Sequence, residues 1–183
     1  MASWVEKASY AAADPGRVSV LVALAQVSAG TTNGQAIDEL TLANASGMLY
    51  QRISGQAIET ARILAYISDL AANDLLRRDA SGFRWELTPL GTLVSRQWAP
   101  GEVEPPGTDA LETDDIRSWR DRLIDQMDDD AGLAEEAGIA IEELLAGQGA
   151  RLAELRVLNR ILGEEELPGW LQAMAGELGT IEE

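Results

Sequence analysis

Cysteine and histidine are both absent from this chain of 183 residues. Their absence excludes disulfides, thiol catalysis, imidazole acid–base chemistry and the usual zinc sites. The chain also lacks any apolar run approaching the roughly 18 residues that a membrane-spanning helix needs. Its first residues, Met1–Lys7, lack the basic and then apolar order of a secretion signal. We therefore expect a cytoplasmic protein that makes no contact with a membrane.

Motifs that bind phosphate or metal are missing as well. The chain has neither a Gly-x-Gly-x-x-Gly loop nor a Gly-Lys-Ser/Thr loop. The run Asp128–Asp130 does not fit a calcium loop. With glycine at the sixth position, Met127 would be first and Gly138 last, where aspartate and glutamate are needed. Glu142-Glu143 and Glu164–Glu166 are more typical of solvated helix surfaces than of a metal site. We expect no metal, no cofactor and no enzymatic activity.

Positive charge is scarce and unevenly distributed. The net charge is −17, and Lys7 is the single lysine. Residues 1–98 hold nine acids and eight bases, whereas residues 99–183 hold 22 acids and six bases. An acidic surface repels phosphate, so nucleic acid is expected to approach only the first half. The shortage of lysine suggests either a GC-rich genome or a salt-loving host, in which acidity would serve solubility.

The most informative stretch runs from residue 54 to residue 98. Apolar side chains recur at three-and-four spacing in residues 56–74 and predict an amphipathic helix: Ile63, Leu64, Ile67 and Leu70. Its other side is predicted to face solvent through Glu59, Arg62, Tyr66, Asp69 and Asn73. A turn-forming run, Asp79–Gly82, follows. Phe83, Trp85 and Leu87 then alternate with polar residues, which predicts a half-buried strand paired with residues 75–78.

These residues carry a resemblance to a known family. Leu70–Leu76, Arg77-Arg78, Gly82 and Trp85–Gly91 are similar to the second half of winged helix-turn-helix domains of the MarR and ArsR kind. The Leu-Thr-Pro-Leu-Gly ending also resembles the winged dimerisation domains that precede many SAM-dependent O-methyltransferases. The resemblance covers residues 17–98 and implies a mainly α fold with a small β-wing. Because residues 99–183 are acidic and helical, we do not expect a cofactor-binding domain to follow the wing.

Other segments complete the expected organisation. A leading helix is predicted in residues 1–14, a buried helix in 17–28 and a closing helix in 90–98. Residues 35–53 are longer and vaguer than the family pattern, and they fit two short helices or one bent helix equally well. The predicted domains are a winged-helix domain (1–98), an acidic linker rich in proline and glycine (99–112) and an acidic α-helical region (113–183).

The acidic region is predicted to contain four amphipathic helices. The first is expected to begin at Thr113 and to end at Asp128–Asp130. The second and third are expected over 133–146 and 150–162, and the last lies near Trp170. Their apolar stripes offer more surface than a small bundle readily hides, so we expect this region to form a homodimer or to bind a protein partner. The residues expected to form that surface are Trp119, Leu123, Met127, Leu155, Leu158, Leu162, Trp170, Leu171 and Met174.

The family resemblance also implies which residues would contact DNA. Three side chains in the first half of the predicted recognition helix have the chemistry to read bases: Gln56, Thr60 and Arg62. Four arginines are expected to contact phosphates or the minor groove: Arg52 before that helix, and Arg77, Arg78 and Arg84 at the wing. The alternative is that the helix face is an ordinary solvated one and that the wing arginines bridge Asp79 and Glu86.

Three functions remain open at this point. The leading hypothesis is a dimeric winged-helix transcription regulator that binds double-stranded DNA through residues 1–98. The second is a protein–protein adaptor, as in the small winged-helix subunits of SMC-like complexes. The third is an acidic DNA mimic, and the only feature that supports it is the negative charge of residues 99–183. Salt-dependent DNA binding would separate the first from the other two.

Overall fold

A computed structural model describes residues 4–29, 36–98 and 112–163. In these ranges the chain is mainly helical with one small antiparallel sheet, which confirms the predicted balance of helix and strand. The contacts group the chain into two units. One unit is Met1–Gly101 with Leu133–Ile139, and the other is Glu102–Gly132 with Ala140–Glu183. Among the described helices, none combines the length and hydropathy that crossing a bilayer requires.

The described residues form eight helices and three strands. Residues 4–98 form α1 (Trp4–Ala12), α2 (Pro15–Ala29), β1 (Ile37–Asp38), α3 (Glu39–Ser54), α4 (Thr60–Ala72), β2 (Leu76–Arg78), β3 (Arg84–Leu87) and α5 (Pro89–Ser95). Residues 113–162 form α6 (Thr113–Glu136), α7 (Ile141–Gly147) and α8 (Gly149–Leu162). The predicted linker and the predicted last helix fall at residues 99–111 and 164–183, outside the described residues. The proposed domain boundaries stay a prediction.

The sheet has the order β1-β3-β2, and both pairings are antiparallel. The hairpin of β2 and β3 confirms the predicted strand pair. Trp85 on the central strand lies opposite Ile37 on one side and Arg78 on the other. Sequence reasoning missed β1, because a strand of two residues is too short to show a period of two.

The sequence of residues 35–53 fits two short helices or one bent helix, and the structure has a single helix, α3, from Glu39 onward. Asp38 caps its N-terminus by accepting a hydrogen bond from the Thr41 amide at 2.9 Å. Gly55 ends it in the left-handed region, with φ of 72°. Gly47 lies within the helix without breaking it, since one glycine costs a helix only about 1 kcal/mol.

Helix α4 differs from its prediction in two ways. It begins at Thr60 rather than at Gln56. Its polar side is also largely covered, because Tyr66 is only 8% exposed and Asp69 and Asn73 are half-buried. The prediction of a fully exposed polar face was therefore wrong. Tyr66 and Asp69 form hydrogen bonds with Asp14 and Arg17, so these polar groups are bonded within the protein.

The Leu-Thr-Pro-Leu-Gly segment has a clear structural role. Thr88 caps α5 by accepting from the Gly91 amide at 2.9 Å, and its hydroxyl donates to the Asp74 carbonyl at 2.6 Å. Gly91 packs so closely on the preceding loop that a Cβ there would lie 1.9 Å from the Leu75 carbonyl oxygen. Together these contacts hold α5 against the start of the hairpin. The helix itself ends at Ser95, three residues before its predicted end.

Helix α6 does not end at Asp128–Asp130 as predicted but continues to Glu136. Consecutive aspartates are tolerated there because their environments differ. Asp128 and Asp129 are exposed, whereas Asp130 is only 1% exposed and accepts hydrogen bonds from Gln148 Nε2 at 2.6 Å and from Arg151 at 2.7 Å. The pattern of charge alone does not reveal such a partnered acid. The predicted helix over 133–146 is accordingly two pieces of helix separated near Gly138, whose φ is 68°.

Replacing Gly91 by alanine is expected to destabilise the protein by about 1–3 kcal/mol, because the added methyl group collides with the rigid backbone at Leu75. The control is Gly47→Ala, where a Cβ meets nothing within 4 Å in a helix interior. This control should gain about 0.5–1 kcal/mol. Urea unfolding of both variants measures the difference. Equal midpoints would contradict the close packing at Gly91.

Replacing Asp130 by alanine is expected to cost about 1.5–3 kcal/mol, because Gln148 and Arg151 would lose a charged acceptor inside the fold. Asp128→Ala is the matched control. It removes an equal charge from the same helix at an exposed position, so its effect should stay within about 0.5 kcal/mol. Thermal and urea unfolding of the two variants test the contrast. Similar losses for both would show that charge rather than partnering matters at Asp130.

Candidate nucleic-acid interface

Arg78 is held by three different groups. Its Nη2 lies 2.5 Å from Glu39 Oε2, and its guanidinium stacks 3.8 Å from the centroid of the Trp85 ring. Its Nη1 also donates to the Phe83 carbonyl at 3.3 Å. Trp85 Nε1 donates to the same Glu39 oxygen at 3.1 Å. Arg78 therefore fixes the hairpin against the start of α3, where the sequence suggested a DNA contact.

Arg77 is also paired, with Glu86 across the hairpin at 2.6 Å. Asp79 has a different role from the predicted one. Its carboxylate accepts from the Ser81 hydroxyl at 2.6 Å and from the Arg84 amide at 3.2 Å. These bonds, the Ser81 hydroxyl above all, lower the pKa of Asp79. The alternative of bridging charges thus holds for Arg77 and Glu86, but Asp79 organises the turn instead of pairing with an arginine.

Two predicted DNA contacts are exposed arginines without a side-chain partner in the described part of the chain. Arg52 lies in the last turn of α3, and Arg84 opens β3. Neither has an ion pair with any of the residues that the structure describes. Their guanidinium groups are therefore available to a phosphate without a competing carboxylate.

Arg62, in the first turn of α4, has a neutral partner. Its Nε donates to the Tyr66 hydroxyl at 3.1 Å, and that hydroxyl donates to Asp14 Oδ2 at 2.9 Å. Burial raises the pKa of Tyr66, and the hydrogen bond to Asp14 adds to that effect. Because a neutral phenol does not cancel charge, Arg62 remains an exposed and oriented cation.

The close approach of Tyr66 depends on Gly16. A Cβ on Gly16 would lie 2.1 Å from Tyr66 Cε2. Next to this contact, Arg17 pairs with Asp69 at 3.0 Å and stacks 3.9 Å from the Tyr10 ring centroid. The polar residues of α4 are thus joined to the first two helices. Sequence reasoning missed this network, because its partners lie far apart along the chain.

The candidate contacts fall into two groups at opposite ends of α3. Arg84 lies opposite Asp38, which caps the N-terminus of that helix, whereas Arg52 lies thirteen residues into it. At 1.5 Å per residue, the two backbone positions are about 20 Å apart. Gln56 and Thr60 follow α3 directly, in the exposed segment before α4 and at its first residue. The base-reading candidates therefore group with Arg52, and the hairpin stands apart from them.

Phe83 is not the inward-facing strand residue that alternation predicted. It is 80% exposed, and β3 begins only at Arg84. Trp85 is buried and Leu87 is half-buried, as predicted. Phe83 shares their parity but belongs to the turn, where the alternation of a strand does not apply. It is the most exposed of the large apolar side chains that the structure describes.

The predicted interaction surface of the acidic region is mostly buried in the described part of the chain. Four of its residues form a hydrophobic core: Leu123, Met127, Leu155 and Leu158. Trp119 and Leu162 are half-buried, and Trp170, Leu171 and Met174 lie outside the described residues. As an exposed surface, the first four were wrongly assigned, because α6, α7 and α8 cover them. Association through residues 113–183 stays a prediction.

Exposed apolar side chains occur elsewhere. Leu40 is 64% exposed and Met48 63% exposed, both on α3, and Ile53 at the end of that helix is exposed too. On α8 the exposed pair is Val157 and Ile161. These exposed positions are hard to recognise from the sequence, because a helix that packs on two sides does not show which of its apolar residues remain exposed.

Comparison with protein-family models, with curated proteins and with solved structures finds no match for this chain. Among the described residues, no group of three or more histidine, cysteine, aspartate or glutamate side chains is placed to hold a metal ion.

Replacing Glu39 by glutamine is expected to lower the free energy of unfolding at neutral pH. The variant's free energy of unfolding should also fall less than that of wild type as the pH is lowered. Hydrogen bonds from Trp85 first and from Arg78 second lower the pKa of Glu39. The pKa of a glutamate in the unfolded chain is about 4.3. Because folding lowers the pKa of Glu39, its carboxylate stabilises the fold above that pH, and this stabilisation is lost as the pH falls below it. Wild type and variant should therefore converge between about pH 5 and pH 3.

Thermal unfolding from neutral to acidic pH tests this expectation. The control is Glu59→Gln, at an exposed carboxylate that makes no capping hydrogen bond at the start of α4. Its effect at neutral pH should stay within about 0.5 kcal/mol. A constant difference between wild type and Glu39→Gln at every pH would contradict the role given to the Glu39 carboxylate.

Proposed function

We propose that residues 15–98 form a winged helix-turn-helix domain. In this assignment α3 and α4 are the helix-turn-helix pair, and β2 and β3 with their turn are the wing. The order of elements from α2 to α5 supports the assignment, since the family pattern is a helix, a strand, two helices, a hairpin and a closing segment. The sheet order β1-β3-β2 supports it as well. The name of the fold does not itself carry a function.

The function that we propose for this domain is non-enzymatic binding of double-stranded DNA, as a transcription regulator. One observation carries it: Arg52, Arg62 and Arg84 are exposed cations that have no ion pair with any described residue. If the domain is a winged helix, these positions would belong to the face that meets DNA. In this proposal these three contact phosphates. Gln56 and Thr60 lie at the base edges, where an amide and a hydroxyl can hydrogen-bond.

The separation of the two groups of contacts fits a duplex. Arg52 and Arg84 are about 20 Å apart along α3. One turn of DNA spans about 34–36 Å, so a major groove and the neighbouring minor groove are about half of that apart. A domain with α4 in the major groove therefore brings its hairpin close to the adjacent minor groove. Arg77 and Arg78, already paired with Glu86 and Glu39, are assigned mainly to holding the hairpin.

Charge directs which surface would meet the DNA. Residues 1–98 are nearly neutral, and residues 99–183 carry a net charge of −16. Because the acidic region repels phosphate, DNA is expected to approach residues 1–98, which hold the three arginines. Salt screens that repulsion, so we expect modest affinity and a salt dependence somewhat shallower than the three phosphate contacts alone would give.

We further propose that the regulator is a homodimer, joined through residues 113–183. Dimeric regulators with a helix-turn-helix read two half-sites one helical turn apart, and a second copy would let this chain do the same. Since Leu123, Met127, Leu155 and Leu158 are internal, the exposed pair Val157 and Ile161 on α8 is the better candidate contact.

A protein–protein adaptor is the second candidate function. The observation in its favour is the exposed apolar set Leu40, Met48 and Ile53 on α3. Exposed apolar side chains can contribute to a protein contact where they form a continuous patch, whereas a DNA-binding face is polar and basic. In this version the unpaired arginines would meet an acidic protein surface.

The test measures binding of the full-length protein to a fluorescein-labelled duplex pool of random sequence, about three helical turns long. Fluorescence anisotropy is followed from about 50 to 200 mM salt. The variant Arg52→Ala/Arg62→Ala/Arg84→Ala should lose about tenfold or more in affinity. Its salt slope should fall by about 2.7, since each phosphate contact contributes about 0.9.

A matched control removes the same number of arginines elsewhere. Arg122, Arg156 and Arg160 are exposed and have no ion pair with any described residue. Their triple alanine variant makes the chain more acidic by the same amount, so it controls for net charge. It should keep both the wild-type affinity and the wild-type slope. Equal losses in the two triple variants, or no binding by wild type, would favour the adaptor.

A further inference from the structure

The tip of the hairpin presents an aromatic side chain to solvent while its backbone is held in place. Phe83 is 80% exposed. Its amide donates to the Ser81 hydroxyl at 3.3 Å, and its carbonyl accepts from Arg78 at 3.3 Å. A large apolar side chain in a loose loop would turn toward the protein surface. This one is fixed by bonds on both sides of its Cα.

The turn before Phe83 is ordered by one aspartate. The Asp79 carbonyl accepts from the Gly82 amide at 2.9 Å, and its carboxylate accepts from Ser81 and from the Arg84 amide. Gly82 has φ of 76°, a conformation that favours glycine. The residues at the tip are therefore small or polar, apart from Phe83. Its exposure follows from a specified turn geometry.

Charge around the tip indicates the kind of partner. Residues 76–87 carry Arg77, Arg78 and Arg84 against Asp79 and Glu86, so the hairpin is net positive in a chain of net charge −17. Arg84, next to Phe83, is the hairpin arginine that has no ion pair with any described residue. An exposed aromatic beside an unpaired cation matches a polyanion that also has apolar faces to stack on, which is the chemistry of a nucleic acid.

We propose that Phe83 is a wedge that inserts into the minor groove of DNA and partly unstacks a base step, while Arg84 contacts the adjoining phosphate. This inference rests on the proposed DNA binding and adds the residue with which the hairpin deforms the duplex. Apolar side chains that enter the minor groove in this way kink the duplex and need a rigid support. The clamp of Arg78 on Glu39 and Trp85 supplies that support.

The inference also assigns a preference for flexible steps. Unstacking costs least at pyrimidine–purine steps such as TA and CA, so binding should be tighter where such a step faces the hairpin. Because the wedge reads deformability, this preference should depend on Phe83 rather than on the base-reading candidates Gln56 and Thr60.

The experiment uses the full-length protein and two fluorescent duplexes that carry 2-aminopurine, one at repeated TA steps and one within A-tracts. Wild-type protein should raise the 2-aminopurine fluorescence at TA steps, since unstacking relieves quenching. Phe83→Ala should abolish that rise and weaken binding to the TA duplex about tenfold, as loss of one stacking aromatic does. Phe83→Trp should retain both, because its ring also stacks.

Met48→Ala is the control, since it shortens another exposed apolar side chain far from the hairpin in sequence. It should bind and unstack like wild type. Unfolding midpoints of Phe83→Ala should match wild type, because the ring is exposed. If wild type binds and Phe83→Ala keeps its affinity and fluorescence change, the wedge is wrong and the proposed DNA binding stands. If wild type binds neither duplex, both proposals fall.

Discussion

The small sheet depends on Trp85 more than on any other residue. Its strand is the central one, so its backbone lies between Ile37 and Arg78. Its ring is stacked by the Arg78 guanidinium, and its indole nitrogen donates to Glu39. Trp85 therefore joins β1 and β2 through its backbone, and its side chain joins β2 to the start of α3. A sheet of three short strands has little hydrogen bonding of its own, so its geometry relies on this contact.

Regular periodicity made part of this fold predictable from sequence. Strand β3 and α8 were found because each follows its own period, and α2 was found because its residues are apolar nearly all round, while β1 has only two residues and shows no period. The end of α6 was misplaced because three aspartates look like a boundary. Asp130 is in fact satisfied by Gln148 and Arg151, which lie about twenty residues later in the chain. Such long-range partners leave no local signal.

The same reason explains the partial success at the candidate site. Sequence reasoning correctly assigned Arg62, Tyr66 and Asp69 to one polar face of α4. It also predicted that the whole face is exposed, which is true of Arg62 but not of Tyr66 and Asp69. A polar residue at helical spacing is compatible with water or with a buried partner, and only the fold decides between them. Tyr66 meets Asp14, and Asp69 meets Arg17. This network also positions Arg62, because the Arg62 Nε donates to the Tyr66 hydroxyl.

Pairing also determines which arginines have the most to gain from a phosphate. An exposed pair such as Arg77 with Glu86 is worth only about 0–1 kcal/mol, so it does not lock the guanidinium energetically. It does bring a carboxylate to the place where a phosphate would approach, and a neutral pair releases no counterions when DNA binds. Arg84 has no ion pair with any described residue, although it lies on the same hairpin, seven residues after Arg77. The hairpin thus has two groups of residues: Arg77 and Arg78 are paired within the fold, whereas Arg84 and Phe83 are exposed and, in the proposed function, would contact DNA.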